Sequence, residues 1–83
     1  MSLKIIWDKR AQNELMKLEV LIARRIVLKV KGLGEDPFSK DIKRLKGGAS
    51  FRLRVGDYRV IFDIIKDAII VLQVGHRKNI YEN

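Results

Sequence analysis

Cysteine is absent from this 83-residue chain, which excludes disulfides, zinc–thiolate centres and thiol nucleophiles and fits a reducing intracellular, cytoplasmic setting. Histidine occurs once, as His76, and no second histidine or carboxylate cluster stands at metal-ligand spacing, so no metal is expected. The GxSxG, Walker and dinucleotide fingerprints are missing as well, so neither a nucleotide nor another small-molecule cofactor is expected. No apolar run reaches the roughly 18 residues a membrane span needs, and the opening "MSLKIIWDKR" lacks the apolar stretch of a signal peptide. Acidic residues are scarce. Asp and Glu number 10 against 18 Lys and Arg, for a formal charge of +8. Such a surplus points to a polyanionic partner, and nucleic acid, an anionic surface and an acidic protein all qualify until the positions of the charges are considered.

With 47% hydrophobic and 34% charged residues the chain has the composition of an ordered globular protein. It is too short to divide its apolar surface between two cores, so residues 1–83 are read as one domain. Residues 3–7, "LKIIW", form a β-branched and aromatic run suited to an opening strand, with Trp7 read as core. Asp8 then takes the N-cap position of a short helix whose buried face carries Ala11, Leu15 and Leu18 and which ends near Leu18 or Glu19. A second helix is expected over 20–33, with Ile22, Ile26, Val30 and Leu33 in one stripe. Leu21 and Leu28 stand beside that stripe and are read as helix–helix packing, any exposed remnant being available to a partner's helix. Gly32, Gly34 and the Asp36–Pro37 pair end the helix.

Residues 38–50 read as a basic surface segment with room for a brief extended piece at Ile42 to Leu45. Three strands follow at about 51–55, 58–64 and 68–74. The order β-α-α-β-β-β points to an α+β fold, with two N-terminal helices packed on one face of a small, mostly antiparallel sheet.

Within "FRLRVGDYRV", residues 51–60, the pair Gly56-Asp57 separates two alternating runs and fits a two-residue hairpin turn. Strand alternation then gathers Phe51, Leu53, Val55, Tyr58, Val60 and Phe62 on one side and Arg52, Arg54 and Arg59 on the other. Arg54 and Arg59 become direct cross-strand neighbours, a like-charge pairing that a sheet designed only for stability avoids. The following hairpin admits two registers. A two-residue loop at Lys66-Asp67 places Gln73 in the core; a three-residue loop at 65–67 places Ala68, Ile70, Leu72 and Val74 there and is preferred because it fills the core with apolar groups. The second register also turns Gln73, Gly75 and Arg77 towards the arginines.

The tail "VGHRKNIYEN" adds His76, Arg77, Lys78 and Tyr81. Cations with one phenol and one imidazole suit RNA cleavage by attack of the 2′-hydroxyl on the adjacent phosphate, because RNA supplies its own nucleophile and the protein need only align it, stabilise charge and move protons. Arginine grips two phosphate oxygens at once but stays protonated, so it is a poor general base. His76 has the natural pKa for proton transfer, though a strand-capping role is the stronger claimant; Tyr81 can stack on a base, donate a proton or pack on the sheet rim. Lys40, Lys43, Arg44, Lys46 and Lys78 read as a phosphate-binding surface.

"DIKRLKGG", "FRLRVGDYRVIFDI" and "VLQVGHRKNIY", behind an upstream helix pair, together resemble the RelE branch of the RelE/ParE toxin superfamily. The resemblance runs from the first strand to Tyr81. It implies a RelE-like fold and the toxin of a type II toxin–antitoxin system: a ribosome-dependent, metal-independent endoribonuclease that cleaves mRNA in the A site to a 2′,3′-cyclic phosphate. It also implies silencing by a cognate acidic, RelB-like antitoxin. Carried over by position, Arg52 and Arg54 fall where such toxins place basic residues near the scissile phosphate. Arg59 and Arg77 fall at the phosphate-holding positions, and Tyr81 at the substrate-orienting tyrosine. Studied members have lysines at the positions of Arg52 and Arg54, which turns attention to His76 as proton acceptor, and some carry an additional C-terminal helix that this chain lacks. Two other readings stay open: a ParE-like inhibitor of DNA gyrase without ribonuclease activity, and a non-catalytic RNA- or ribosome-binding relative.

Overall fold

A computed structural model describes residues 3–36, 41–45, 48 and 50–80. Asp8 caps the first helix as its short carboxylate suggests: Oδ2 accepts the Arg10 N–H at 3.3 Å, satisfying one of the donors a helix start leaves unpaired. Around it the elements run β1 (Lys4–Trp7), α1 (Lys9–Met16), α2 (Val20–Leu33), β2 (Ile42–Arg44), β3 (Ser50–Val55), β4 (Tyr58–Ile65) and β5 (Ala68–His76). Helix α1 stops two residues short of the expected end, and the extended piece in the basic segment is a true strand, β2, which adds one element to the order read from the sequence.

The strands form one sheet in the order β1-β5-β4-β3-β2. Every neighbour pair is antiparallel except β1 with β5, which pair in parallel from Lys4–Ala68 to Trp7–Val71. Ala11 from α1 and Ile26, Val30 and Leu33 from α2 pack against Leu53, Val55, Val60, Phe62, Ile69, Val71 and Val74, so the α2 stripe is the core face that the 3.6-residue period predicted. Phe62 is fully buried and stacks on Phe51 with ring centroids 5.6 Å apart. Trp7 is half-buried and packs against this core.

Leu21 and Leu28 are a correction. They are 67% and 63% exposed, so they are not helix–helix packing. Helix α1 packs on β5, and α2 turns only its Ile26 stripe inward, which leaves the outer flank of α2 without an intramolecular partner among the described residues.

The β4–β5 hairpin corrects the preferred register. Its loop is the two-residue one, with Ile65 opposite Ala68 and Lys66 holding the left-handed conformation at φ 53°. Ile69 and Val71 therefore enter the core in place of Ile70 and Leu72, while Ala68 is buried at the start of the strand. The pairing then slips between Ile61 and Phe62: Phe62 faces Val71, Ile61 faces Gln73, and the extra residue on β5 is a β-bulge. The bulge shifts the phase so that Val74 is in the core and Gln73 outside it, as the apolar count demanded. Beyond β1 the edge of β5 is closed by a side chain, the Val74 N–H donating to Glu14 Oε1 at 2.9 Å.

The left-handed Lys66 is strained by its Cβ. Replacing it with glycine is expected to raise unfolding stability by about 0.5–1 kcal/mol, the steric relief outweighing the added chain entropy. Phe62→Ala is expected to cost about 3–5 kcal/mol. Urea unfolding followed by Trp7 fluorescence measures both.

Candidate functional site

The register of β3 against β4 builds the site. Leu53 faces Val60, Arg54 faces Arg59 and Arg52 faces Ile61, across a turn in which Gly56 adopts φ 59°. With Leu53, Val55, Val60 and Phe62 committed to the helices, alternation sends Arg52, Arg54 and Arg59 to the opposite surface. Lys43 joins them there, opposite Arg52. Between the cations lies an apolar floor: Ile61 and Ile80 are 4% and 7% exposed. Ile80 closes over the end of β5 because position 75 is glycine; a Cβ there would come within 3.1 Å of Ile80 Cδ1.

The arginines are held in different ways. Arg59 is half-buried and Nη1 donates to the carbonyls of Gly56 and Tyr58, both at 2.9 Å, which folds it back towards the hairpin turn. Arg77 reaches the same turn from the end of β5: its N–H donates to Asp57 O at 2.8 Å, and its Nε lies 3.8 Å from Asp57 Oδ1. Arg52 is half-buried with its Nε fully enclosed. Arg54 is drawn towards the residue that leads into β2, where Nη2 donates to Asp41 Oδ1 at 3.3 Å while Lys29 Nζ from α2 donates to Oδ2 at 3.2 Å. That pull separates the Arg54 and Arg59 charges and relieves the like-charge pairing that the sequence displays.

His76 is placed elsewhere. It faces Tyr58, and the two rings meet edge to face at 5.3 Å on the side of the sheet that carries the helices. Its Nδ1 accepts the Lys78 N–H at 3.2 Å, so Nε2 is the position left for a proton, and its carbonyl accepts from Asn79 and Ile80. The ring anchors the turn that leads to the tail, in a cleft shared with Arg10, Glu14 and Lys17. Arg44 also leaves the arginine surface and lies over the Phe51 ring at 5.9 Å. Lys78 is exposed in the turn. Lys40, Lys46 and Tyr81 lie outside the described residues.

Asp41 is the residue that sequence reasoning passed over. Its signal is there to be seen: one carboxylate in "SKDIKRLK", a segment otherwise crowded with cations. The hydrogen bond from Lys29, reinforced by that ammonium's charge and by the Arg54 guanidinium, holds the Asp41 carboxyl below the usual 3.8 despite partial desolvation. Among the described residues, no group of three or more His, Cys, Asp or Glu side chains is placed to hold a metal ion. The assembled chemistry is a cationic surface that can grip phosphate, with the His76 imidazole on the other side of the sheet. Because the Asp41 carboxyl titrates lower in the folded chain, its contribution to stability is present at neutral pH and lost as the pH falls through and below 3.8. The stability difference between the parent and Asp41→Asn, read from urea midpoints, is therefore expected to disappear in that acid range.

The comparisons with known proteins agree with this fold. The family model described as ParE toxin of type II toxin-antitoxin system, parDE, matches residues 5–81. Toxin RelE3 of Methanocaldococcus jannaschii is 32% identical over 85 residues, spanning 96% of this chain and 97% of that protein. The RelBE2 toxin–antitoxin complex of Mycobacterium tuberculosis contains a chain that superposes with a TM-score of 0.82 at 25% identity, over 95% of both chains. A chain of the RelE–RelB complex of Pyrococcus horikoshii gives the same TM-score and identity over 96% of this chain and 100% of its own. With sequence, fold and family model in agreement, the chain belongs to the RelE/ParE superfamily and is a toxin of the type II toxin–antitoxin class.

Proposed function

We propose that this toxin is a metal-independent endoribonuclease that cleaves mRNA in the ribosomal A site. The observation that carries the reading is the hairpin register, which turns Arg52 and Arg59 to the surface away from the helices and Arg54 to its margin, with Arg77 tied to the same hairpin turn. In the reaction the 2′-oxygen forms a bond to phosphorus and the bond from phosphorus to the 5′-oxygen breaks, leaving a 2′,3′-cyclic phosphate. The 2′-hydroxyl proton passes to a base and the departing 5′-oxygen receives one. Arg59 and Arg77 grip the phosphate and stabilise the charge that builds on it, while Arg52 and Arg54 neutralise the flanking backbone. Tyr81 orients the base. His76, turned towards Tyr58, acts through the tail it anchors, and the ribosome completes the alignment that the protein alone does not provide.

The same reading gives the chain an antitoxin partner. Relatives of similar sequence and fold occur in RelE–RelB complexes. The outer flank of α2 presents exposed Leu21 and Leu28 among Arg24, Arg25 and Lys31, which complements an amphipathic helix with acidic margins. A second reading, gyrase inhibition without RNA cleavage, is favoured by one observation, the match to a family described by ParE.

Mapping new mRNA 5′ ends on programmed ribosomes tests the proposal. Cuts confined to the A-site codon are expected, with Arg59→Ala and Arg77→Ala each slowing cleavage by about 10²–10³-fold, the loss typical of one charge-stabilising donor. Tyr81→Phe is expected to lower the rate less if the ring stacks and to match them if its hydroxyl donates the proton. Intact message together with inhibited DNA supercoiling in a gyrase assay would move the conclusion to the second reading.

A further inference from the structure

Asp41 sits where the toxin's basic surface turns the corner from the arginine face to helix α2. Its carbonyl accepts the Arg54 N–H at 3.0 Å and its carboxylate is shared between Arg54 at 3.3 Å and Lys29 at 3.2 Å. The three side chains line a groove of about 430 Å³ together with Arg25, Gly56 and Asp57. The groove lies against the hairpin turn, where Arg25 Nη1 would stand 3.3 Å from a Cβ at position 56.

The chemistry of this junction has two parts. The backbone bond fixes the strand and does not depend on the carboxylate's charge. The side-chain bond decides where the Arg54 guanidinium points. It is made through one nitrogen only, between partners 58% and 20% exposed, and single-contact ion pairs at a surface hold weakly. A phosphodiester offers the same guanidinium two oxygens in the geometry of its fork. Asp41 is therefore a competitor that a well-placed phosphate displaces and a poorly placed one does not.

We propose that Asp41 is a specificity-determining residue: it occupies Arg54 in the unbound toxin and thereby weakens the grip on RNA backbones that do not present a phosphate in register. The proposal rests on the arginine face being the RNA-facing surface, as argued above. It goes further in assigning a role to a carboxylate within that surface, one that acts through Arg54 and does not itself touch the substrate.

The test is equilibrium binding of a short single-stranded 2′-O-methyl oligonucleotide, which cannot be cleaved, titrated across salt concentrations without ribosomes. Asp41→Asn keeps the size and the backbone bond of the residue and removes only its charge. It is expected to bind the probe about 3–10-fold tighter at low salt, with a salt dependence steeper by about 0.7, the increment for one further phosphate neutralised on a single strand. In an Arg54→Ala background the same substitution is expected to change affinity by less than about 1.5-fold, because the competitor then has no arginine to release. Asp41→Glu should restore the parent's affinity, and Asp67→Asn, an equal change of charge at the β4–β5 turn, should leave it unmoved. Unchanged or weaker binding by Asp41→Asn overturns the proposal. So does a tightening that persists without Arg54 or that Asp67→Asn reproduces, since each would mean a general charge effect. Because the probe needs neither ribosome nor cleavage, absence of mRNA cuts with these binding results intact would remove the ribonuclease reading and leave the role of Asp41 standing.

Discussion

The two-residue turn at Gly56 and Asp57 is the constraint from which the site follows. A loop one residue longer would move every side chain of β4 to the other face, sending Arg59 into the helices and Val60 and Phe62 into water. The fully buried Phe62 and Val60 forbid that slip, and Gly56 at φ 59° makes the short turn accessible without a Cβ penalty. The core thus dictates where the arginines go. Packing on one side of the sheet enforces the placement of charge on the other.

The cost of that placement is electrostatic, and the structure offsets it locally. Arg59 is folded onto two backbone carbonyls, Arg77 lies beside Asp57, and Arg54 beside Asp41. These partners are of modest strength, which is what the proposed exchange for phosphate requires. Tightly buried carboxylates would stabilise the isolated chain and also block the ligand. Carbonyls and surface aspartates hold the arginines apart and still let them go.

Much of this was legible in the sequence because the signals were strong and local. The α2 stripe repeats with the helical period, Asp8 precedes a helix it can cap, and Gly56-Asp57 stands between two alternating runs whose apolar sets agree on one face. The arginine face followed from that agreement. The β4–β5 register was not legible, because the chain uses a bulge to combine the two registers that alternation offered, and a bulge leaves no mark in a pattern of apolar residues. The fate of Leu21 and Leu28 was hidden because periodicity tells which residues share a flank, not whether a neighbour covers it. Asp41 was hidden because its importance lies in two residues, Lys29 and Arg54, that only the fold brings to it. His76 was assigned by chemistry alone, and its strand position turned it to Tyr58.

The carboxylate of Glu14 on the Val74 N–H gives the sheet a property of its own. Beyond β1, an uncovered margin of β5 would be a template on which further copies of the chain could add strands, and a chain so basic would carry its charge into each aggregate. Glu14 takes a donor such a template needs, and its partner Arg10, 3.5 Å away, keeps it directed inward. A small basic toxin with an open strand margin needs a local device that keeps its copies apart. One helix-borne acid at a strand margin lets this chain meet that demand without an extra strand.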